Sequence, residues 1–118
     1  MTSEVTERRA AMRERIKQLA GEFLRRCSRD VMSMRGLLRR LGTGDAGVCK
    51  ELEHLAHRIC GTGASLGFES LSTRAAAIER LAEGRSDIAA TDQILMVRLV
   101  EYVAALEIEV DRLIHASV

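Results

Sequence analysis

The sequence predicts an all-α domain, an antiparallel up-down four-helix bundle with an additional N-terminal helix. Composition is the first reason. Proline is absent, the aromatic residues are Phe23, Phe68 and Tyr102 alone, and Leu, Ala, Arg and Glu dominate, as in helical bundles. The second reason is periodicity: apolar residues recur at steps of three and four through most of the chain. The third is the shortness of the glycine-containing links between periodic stretches, which forces sequence neighbours to pack side by side and antiparallel. A chain of 118 residues is long enough for one real core and too short for two. Residues 1–118 therefore read as a single domain, with an N-terminal helix over 1–20 and the bundle over 22–115.

From Met12 to Leu41 the apolar positions are Met12, Ile16, Leu19, Phe23, Cys27, Val31, Met34, Leu38 and Leu41, every step being three or four. Gly21 and the Ser28-Arg29-Asp30 cluster are candidate breaks, giving a first helix over residues 4–20 and a second over 22–41, bent or separated at the join. Gly42-Thr43-Gly44 ends this stretch, and Asp45 is placed to cap the next helix. A third helix spans residues 46–66 and is closed by Gly67 in a left-handed conformation. A fourth runs from Phe68 to Glu83, with Leu71, Ala75, Ile78 and Leu81 or Ala82 inward, and Gly84 stops it. The last covers residues 89–115, where Met96, Leu99, Val103, Leu106, Val110 and Leu113 alternate steps of three and four, a seven-residue repeat that suits near-parallel packing.

The third helix carries the chemistry. Stepping 100° per residue, Val48, Leu52, Leu55 and Ile59 form one narrow apolar stripe, and His57 points about 170° away from its mean. Gly61 lies one turn beyond His57, Ala64 two turns beyond, and Glu53 one turn before, where such a residue either orients the ring or, more often, is merely solvated. Gly61 and Gly63 each cost about 1 kcal/mol relative to alanine inside a helix. A surface imidazole beneath a glycine is open to a reactive group brought by another protein. An ordinary imidazole has a free nitrogen lone pair near pH 7, so it attacks phosphorus with no base to deprotonate it.

His57, Gly61, Leu66 and Gly67 spell H-x3-G-x4-L-G, preceded by Leu55-Ala56 and followed by Phe68 and Leu71. This resembles the acceptor-helix motif of the histidine-containing phosphotransfer (HPt) domains of bacterial two-component phosphorelays. Weaker similarity extends from Phe23-Leu24 to about Leu113. The resemblance implies that His57 is the phosphoacceptor, and that receiver domains of response regulators, and a hybrid histidine kinase, are the partners. It also implies that the receiver supplies the aspartate and the Mg²⁺, so no cofactor is expected in this chain. Many family members carry lysine three residues after the histidine, where this chain has Cys60. Arg58 follows the histidine directly but lies about 100° round the helix. Without a nucleotide-binding domain, no ATP-dependent autophosphorylation is expected.

Other readings are weighed against this one. His54, His57 and Cys60 invite a metal site, but they sweep about 120° of surface and lack a fourth ligand at recognised spacing, so none is expected. Gly61-Thr62-Gly63 is no phosphate loop, because no G-K-[ST] follows and no strand precedes it. Cys27, Cys49 and Cys60 form no C-x-x-C pair, which fits incidental thiols in a reduced cytoplasm. The start MTSEVTERRAAMRER lacks an apolar segment with a cleavage site, and no run reaches about 18 apolar residues; neither secretion nor a membrane partner is expected. Through Gly44 there are eleven Lys/Arg against five Asp/Glu, and beyond it seven against twelve. The asymmetry reads as solvated helix faces, or as a basic rim that steers an acidic pocket to His57. With so few aromatic residues among the basic ones, nucleic acid is not expected as a partner. A non-catalytic adaptor of the same shape is the main alternative, favoured by Cys60 at the lysine position. A plain interaction bundle using its basic half is the third. A monomer is expected in preference to a dimer.

Overall fold

The computed structural model describes residues 2–116; the limits expected at residue 1 and at 117–118 fall outside that span. Four helices follow one another: α1 (Thr2–Leu38), α2 (Val48–Ser65), α3 (Glu69–Ala82) and α4 (Gln93–Ala116). Among the described residues there is no strand. α1 packs on α2, α2 on α3, α3 on α4 and α4 on α1, while the diagonal pairs make no backbone approach, so the helices close a ring in chain order. The facing pairs His57–Glu79 and Cys60–Ser72 diverge from Gly67, so α2 and α3 run antiparallel. Arg35 pairs with Glu107, and a side chain at Gly42 would meet the Met96 methyl, so α1 and α4 run antiparallel too.

The separate N-terminal helix expected over residues 1–20 is not a separate element. α1 continues through Gly21 for 37 residues. One helical glycine costs about 1 kcal/mol, which is too little to end a helix whose next turns, from Phe23 to Leu37, are buried in the core. Ser28-Arg29-Asp30 is not a break either; Asp30 is buried and holds Arg58 of α2 at 3.0 Å. Residues 3–19 of α1 are exposed all round, and the molecule measures 67 × 25 × 18 Å because this segment projects beyond the bundle.

The remaining boundaries follow local chemistry. Gly42 and Gly44 turn the chain after α1 with φ of 77° and 86°. Their N–H groups donate to the Asp87 carboxylate at 3.3 and 2.9 Å, clasping the two long connections together. Asp45 does not cap α2: the N-cap is Gly47, and the Asp45 carboxylate accepts from the Gly47 N–H at 3.0 Å while pairing with Arg40. Gly67 has φ of 85°, and the N–H groups of Gly67 and Phe68 donate to the carbonyls of Ala64 and Gly63, a complete Schellman closure of α2. α4 begins at Gln93 rather than 89, because Asp92 accepts from the Leu95 N–H in the N-cap manner and Ile88 is drawn into the core ahead of it.

One apolar core joins all four helices, with Met34, Leu52, Ile59, Leu71, Ile78 and Leu99 among its fully buried members. On α2 the buried face is wider than the expected stripe and displaced from it. Cys49, Ala56 and Gly63 are buried with Val48, Leu52 and Ile59, and Leu55 is only half-buried. The helix is wedged between α1 and α3, so it buries two flanks rather than one line. Gly63 belongs to this packing: an added Cβ would touch the Phe68 carbonyl oxygen and the Phe23 ring at 3.5 and 3.6 Å.

Candidate functional site

The residues singled out on α2 divide into three groups by what they touch. His57, Gly61 and Ala64 lie along one exposed line. An added Cβ at Gly61 would meet nothing within 4 Å, so the space above the imidazole is empty. Ala64, two turns on, keeps the line low. The His57 side chain is 75% exposed.

The ring is held from below. Nδ1 of His57 lies 2.6 Å from Oε2 of Glu79 on α3. A carboxylate only accepts, so Nδ1 carries the proton and donates it. That contact orients the ring and, in the neutral imidazole, selects the tautomer in which Nε2, the nitrogen away from Glu79, is the unprotonated one. Glu79 was not among the residues expected from sequence, where Glu53 on the preceding turn held that part. Glu53 is half-buried, and the recorded partner of the ring is Glu79, whose side chain is 24% exposed. A signal for it existed: α2 and α3 form a hairpin about Gly67, and reflecting His57 through that turn lands two residues from Glu79.

Arg58 and Cys60 are turned away from the open line. The Arg58 guanidinium donates to Asp30 at 3.0 Å, tying α2 to α1. Cys60 is half-buried toward α3, where Ser72 donates its hydroxyl to the Cys60 carbonyl at 2.8 Å. That leaves the thiol as the donor in its 3.4 Å contact with Ser72 Oγ. Neither residue therefore sets a cation over the imidazole. His54 is exposed and borders a separate cleft with Ser33, Arg40 and Glu51. Among the described residues no group of three His, Cys, Asp or Glu side chains is arranged to hold a metal ion.

A cleft of about 310 Å³ runs between α1 and α2 beside this line, lined by Leu19, Phe23, Asp30, Arg58, Thr62 and Leu66. Its floor is apolar and its rim charged. Cys27 forms part of the same wall, and burial, reinforced by Asp30, pushes its thiol up to about 12. It is an inert packing residue and no nucleophile. No helix among the described residues is long and apolar enough to cross a membrane.

The arrangement offers one oriented imidazole on a low, open surface, with its carboxylate neighbour, Glu79, engaged at Nδ1. Such a surface works on a group presented by another molecule. No curated protein and no solved structure matches the chain. The family model described as Hpt domain matches residues 9–116. That span takes in α1 from residue 9 onward, the other three helices and the whole acceptor motif, and the chain belongs to the histidine-containing phosphotransfer domains, which serve histidine phosphotransfer in two-component phosphorelays and interact with response-regulator receivers.

Proposed function

We propose that this protein is a phosphorelay intermediate that accepts a phosphoryl group on Nε2 of His57 from a receiver-domain aspartyl phosphate and passes it to another receiver. The observation that carries this reading is the His57 ring, anchored through Nδ1 and open at Nε2 beneath Gly61. In the forward step the Nε2 lone pair forms a bond to phosphorus as the bond to the aspartyl oxygen breaks, and the aspartate leaves as its carboxylate. No proton has to move from Nε2. The ring gains positive charge as the bond forms, and the Glu79 carboxylate against Nδ1 offsets it. The reverse step uses the same groups, so the chain serves as donor or acceptor according to its partner.

The receiver brings the aspartate and the Mg²⁺; this chain contributes the positioned nitrogen and the clearance for in-line approach. Gly61 and Ala64 form the landing surface, and the α1–α2 cleft beside them suits an apolar anchor from the receiver. A hybrid histidine kinase is a further partner on this reading, and the cytoplasm the compartment. The experiment is direct. Incubation with a phosphorylated cognate receiver labels the protein in an acid-labile, base-stable form, and His57→Gln removes the label. Undiminished labelling of that variant moves the acceptor elsewhere.

A second reading has one observation in its favour. Cys60 stands at the usual lysine position with its thiol bonded toward Ser72, and Arg58 is committed to Asp30, so no cation from α2 grips the phosphoryl group. This suits an adaptor that binds receivers without turnover. Receiver binding that survives His57→Gln, with no transfer from any receiver, supports the adaptor.

A further inference from the structure

One side chain beside His57 stands without a partner. His54 lies one turn before it on α2, exposed, and among the described residues its ring makes no hydrogen bond or ion pair. Residues three apart on a helix are neighbours, with Cβ atoms about 5–6 Å from one another. The two imidazoles are about 60° apart round the helix, so both face the open side. Cys60, three residues after His57, lies about 60° round the other way, and its thiol contacts Ser72 of α3.

Glu79 sets which flank the reactive nitrogen faces. Its carboxylate, on α3, accepts from Nδ1 at 2.6 Å, so Nε2 is the nitrogen turned from α3. His54 borders the cleft between α1 and α2, beside Ser33 and Arg40, on the opposite flank. Helical side chains also lean toward the N-terminus of their own helix, which carries the His57 ring over the turn that holds His54 and away from Cys60. The other donors near the site are engaged or farther off. Arg58 is tied to Asp30 and Arg40 to Asp45. Lys50 lies seven residues before His57, about 10 Å along the axis against about 4.5 Å for His54. Arg80 lies about 100° round α3 from Glu79, on the side opposite the core residues Leu71 and Ile78.

We propose that His54 is a second functional residue of the site, donating an N–H hydrogen bond to an oxygen of the phosphoryl group carried on His57. This rests on the phosphotransfer reading. An imidazole carries at least one N–H whether neutral or protonated, and a phosphoryl group presents strong acceptor oxygens. His54 forms no bond to phosphorus and neither gains nor loses a proton. When His57 acts as donor, the P–N bond breaks as phosphorus bonds to the receiver's aspartate oxygen. The electron pair of the broken bond returns to Nε2, and the His54 N–H loses its acceptor. The hydrogen bond exists only in the phosphorylated protein, so it stabilises that form and holds the transfer equilibrium toward His57.

The equilibrium constant for transfer between the full chain and a phosphorylated cognate receiver tests it, measured at concentrations where the two proteins are mostly apart. Between free species that constant does not depend on how well the proteins dock. His54→Ala is expected to shift it toward the receiver phosphate by about two- to tenfold, the worth of one hydrogen bond. His54→Gln, which keeps an N–H donor, stays closer to the native constant. The position is exposed, so both variants keep the helical circular dichroism. A slower rate with an unchanged constant in His54→Ala makes His54 a docking contact and overturns the proposal. Equal shifts in the two variants also overturn it, since the donor is then not what matters. So does a label that survives His57→Gln and is lost when His54→Ala is added, which makes His54 the acceptor. A native protein that takes no label removes the phosphotransfer reading and this inference together; a labelled one with an unchanged constant in His54→Ala removes this inference alone.

Discussion

Removing the Glu79 carboxylate probes how the bundle prepares His57. The contact is short, 2.6 Å, and joins a side chain 24% exposed to one 75% exposed. A hydrogen bond to a charged group is worth about 1.5–3 kcal/mol when shielded. With most of the ring in solvent the figure falls toward the surface value, about 0.5–1 kcal/mol. If that energy is spent on holding the reactive tautomer and ring orientation, Glu79→Ala slows transfer by about two- to fivefold, at 1.36 kcal/mol per tenfold. Glu79→Gln, which keeps an acceptor oxygen and loses the charge, falls between. The loss belongs to the transfer rate constant and not to receiver affinity, because Glu79 lies beneath the ring rather than on the open line. Single-turnover transfer from a phosphorylated receiver measures the rate, and ¹⁵N spectra of the imidazole report which nitrogen holds the proton. Wild-type protein with the proton on Nε2, or Glu79→Ala transferring at the wild-type rate, refutes the reasoning.

Two further outcomes follow from other parts of the structure. Gly61→Arg meets no atom on its Cβ and removes an interior helix glycine, so it is expected to raise stability by up to about 1 kcal/mol. It nonetheless obstructs the receiver; a variant with a higher melting temperature and undiminished transfer sinks the clearance argument. Glu109 is buried between α3 and α4, and its hydrogen bond with Arg112, helped by Ser70 and by the charge of Arg74, holds its carboxyl below the usual carboxylate range. Its folded value lies below its unfolded one, so its contribution to stability is full above the ordinary carboxylate value and is lost as pH falls through the folded value. In urea unfolding, Glu109→Gln should be less stable than the native protein near neutrality, and the gap should narrow in acid. A gap that stays constant down through the acid range contradicts that sign.

The helices, most of their ends, and the exposure of His57 were legible in the sequence because each depends on local information. Period-three-and-four patterns mark a helix whatever it packs on. Gly67 and Gly84 mark ends because few other residues take their positive φ. His57 stands out as exposed simply because the wheel puts it opposite the apolar stripe. Where the local rules misled, a nonlocal interaction decided. Gly21 is a helix breaker by propensity, yet the buried turns after it keep α1 whole. Asp45 has the chemistry of a cap, yet Arg40 and the Gly47 N–H take its carboxylate.

The site divides along the same line. From the one-dimensional pattern come the exposed histidine, the glycine above it and Cys60 in place of lysine, since all lie within two turns of a single helix. Only the packed bundle reveals that a carboxylate 22 residues away on α3 anchors the ring. It alone shows Arg58 drawn off to Asp30 and Cys60 to Ser72. The physical reason is range: a helix period describes direction relative to its own axis, whereas hydrogen-bond partners depend on which side of which neighbouring helix comes within about 3 Å.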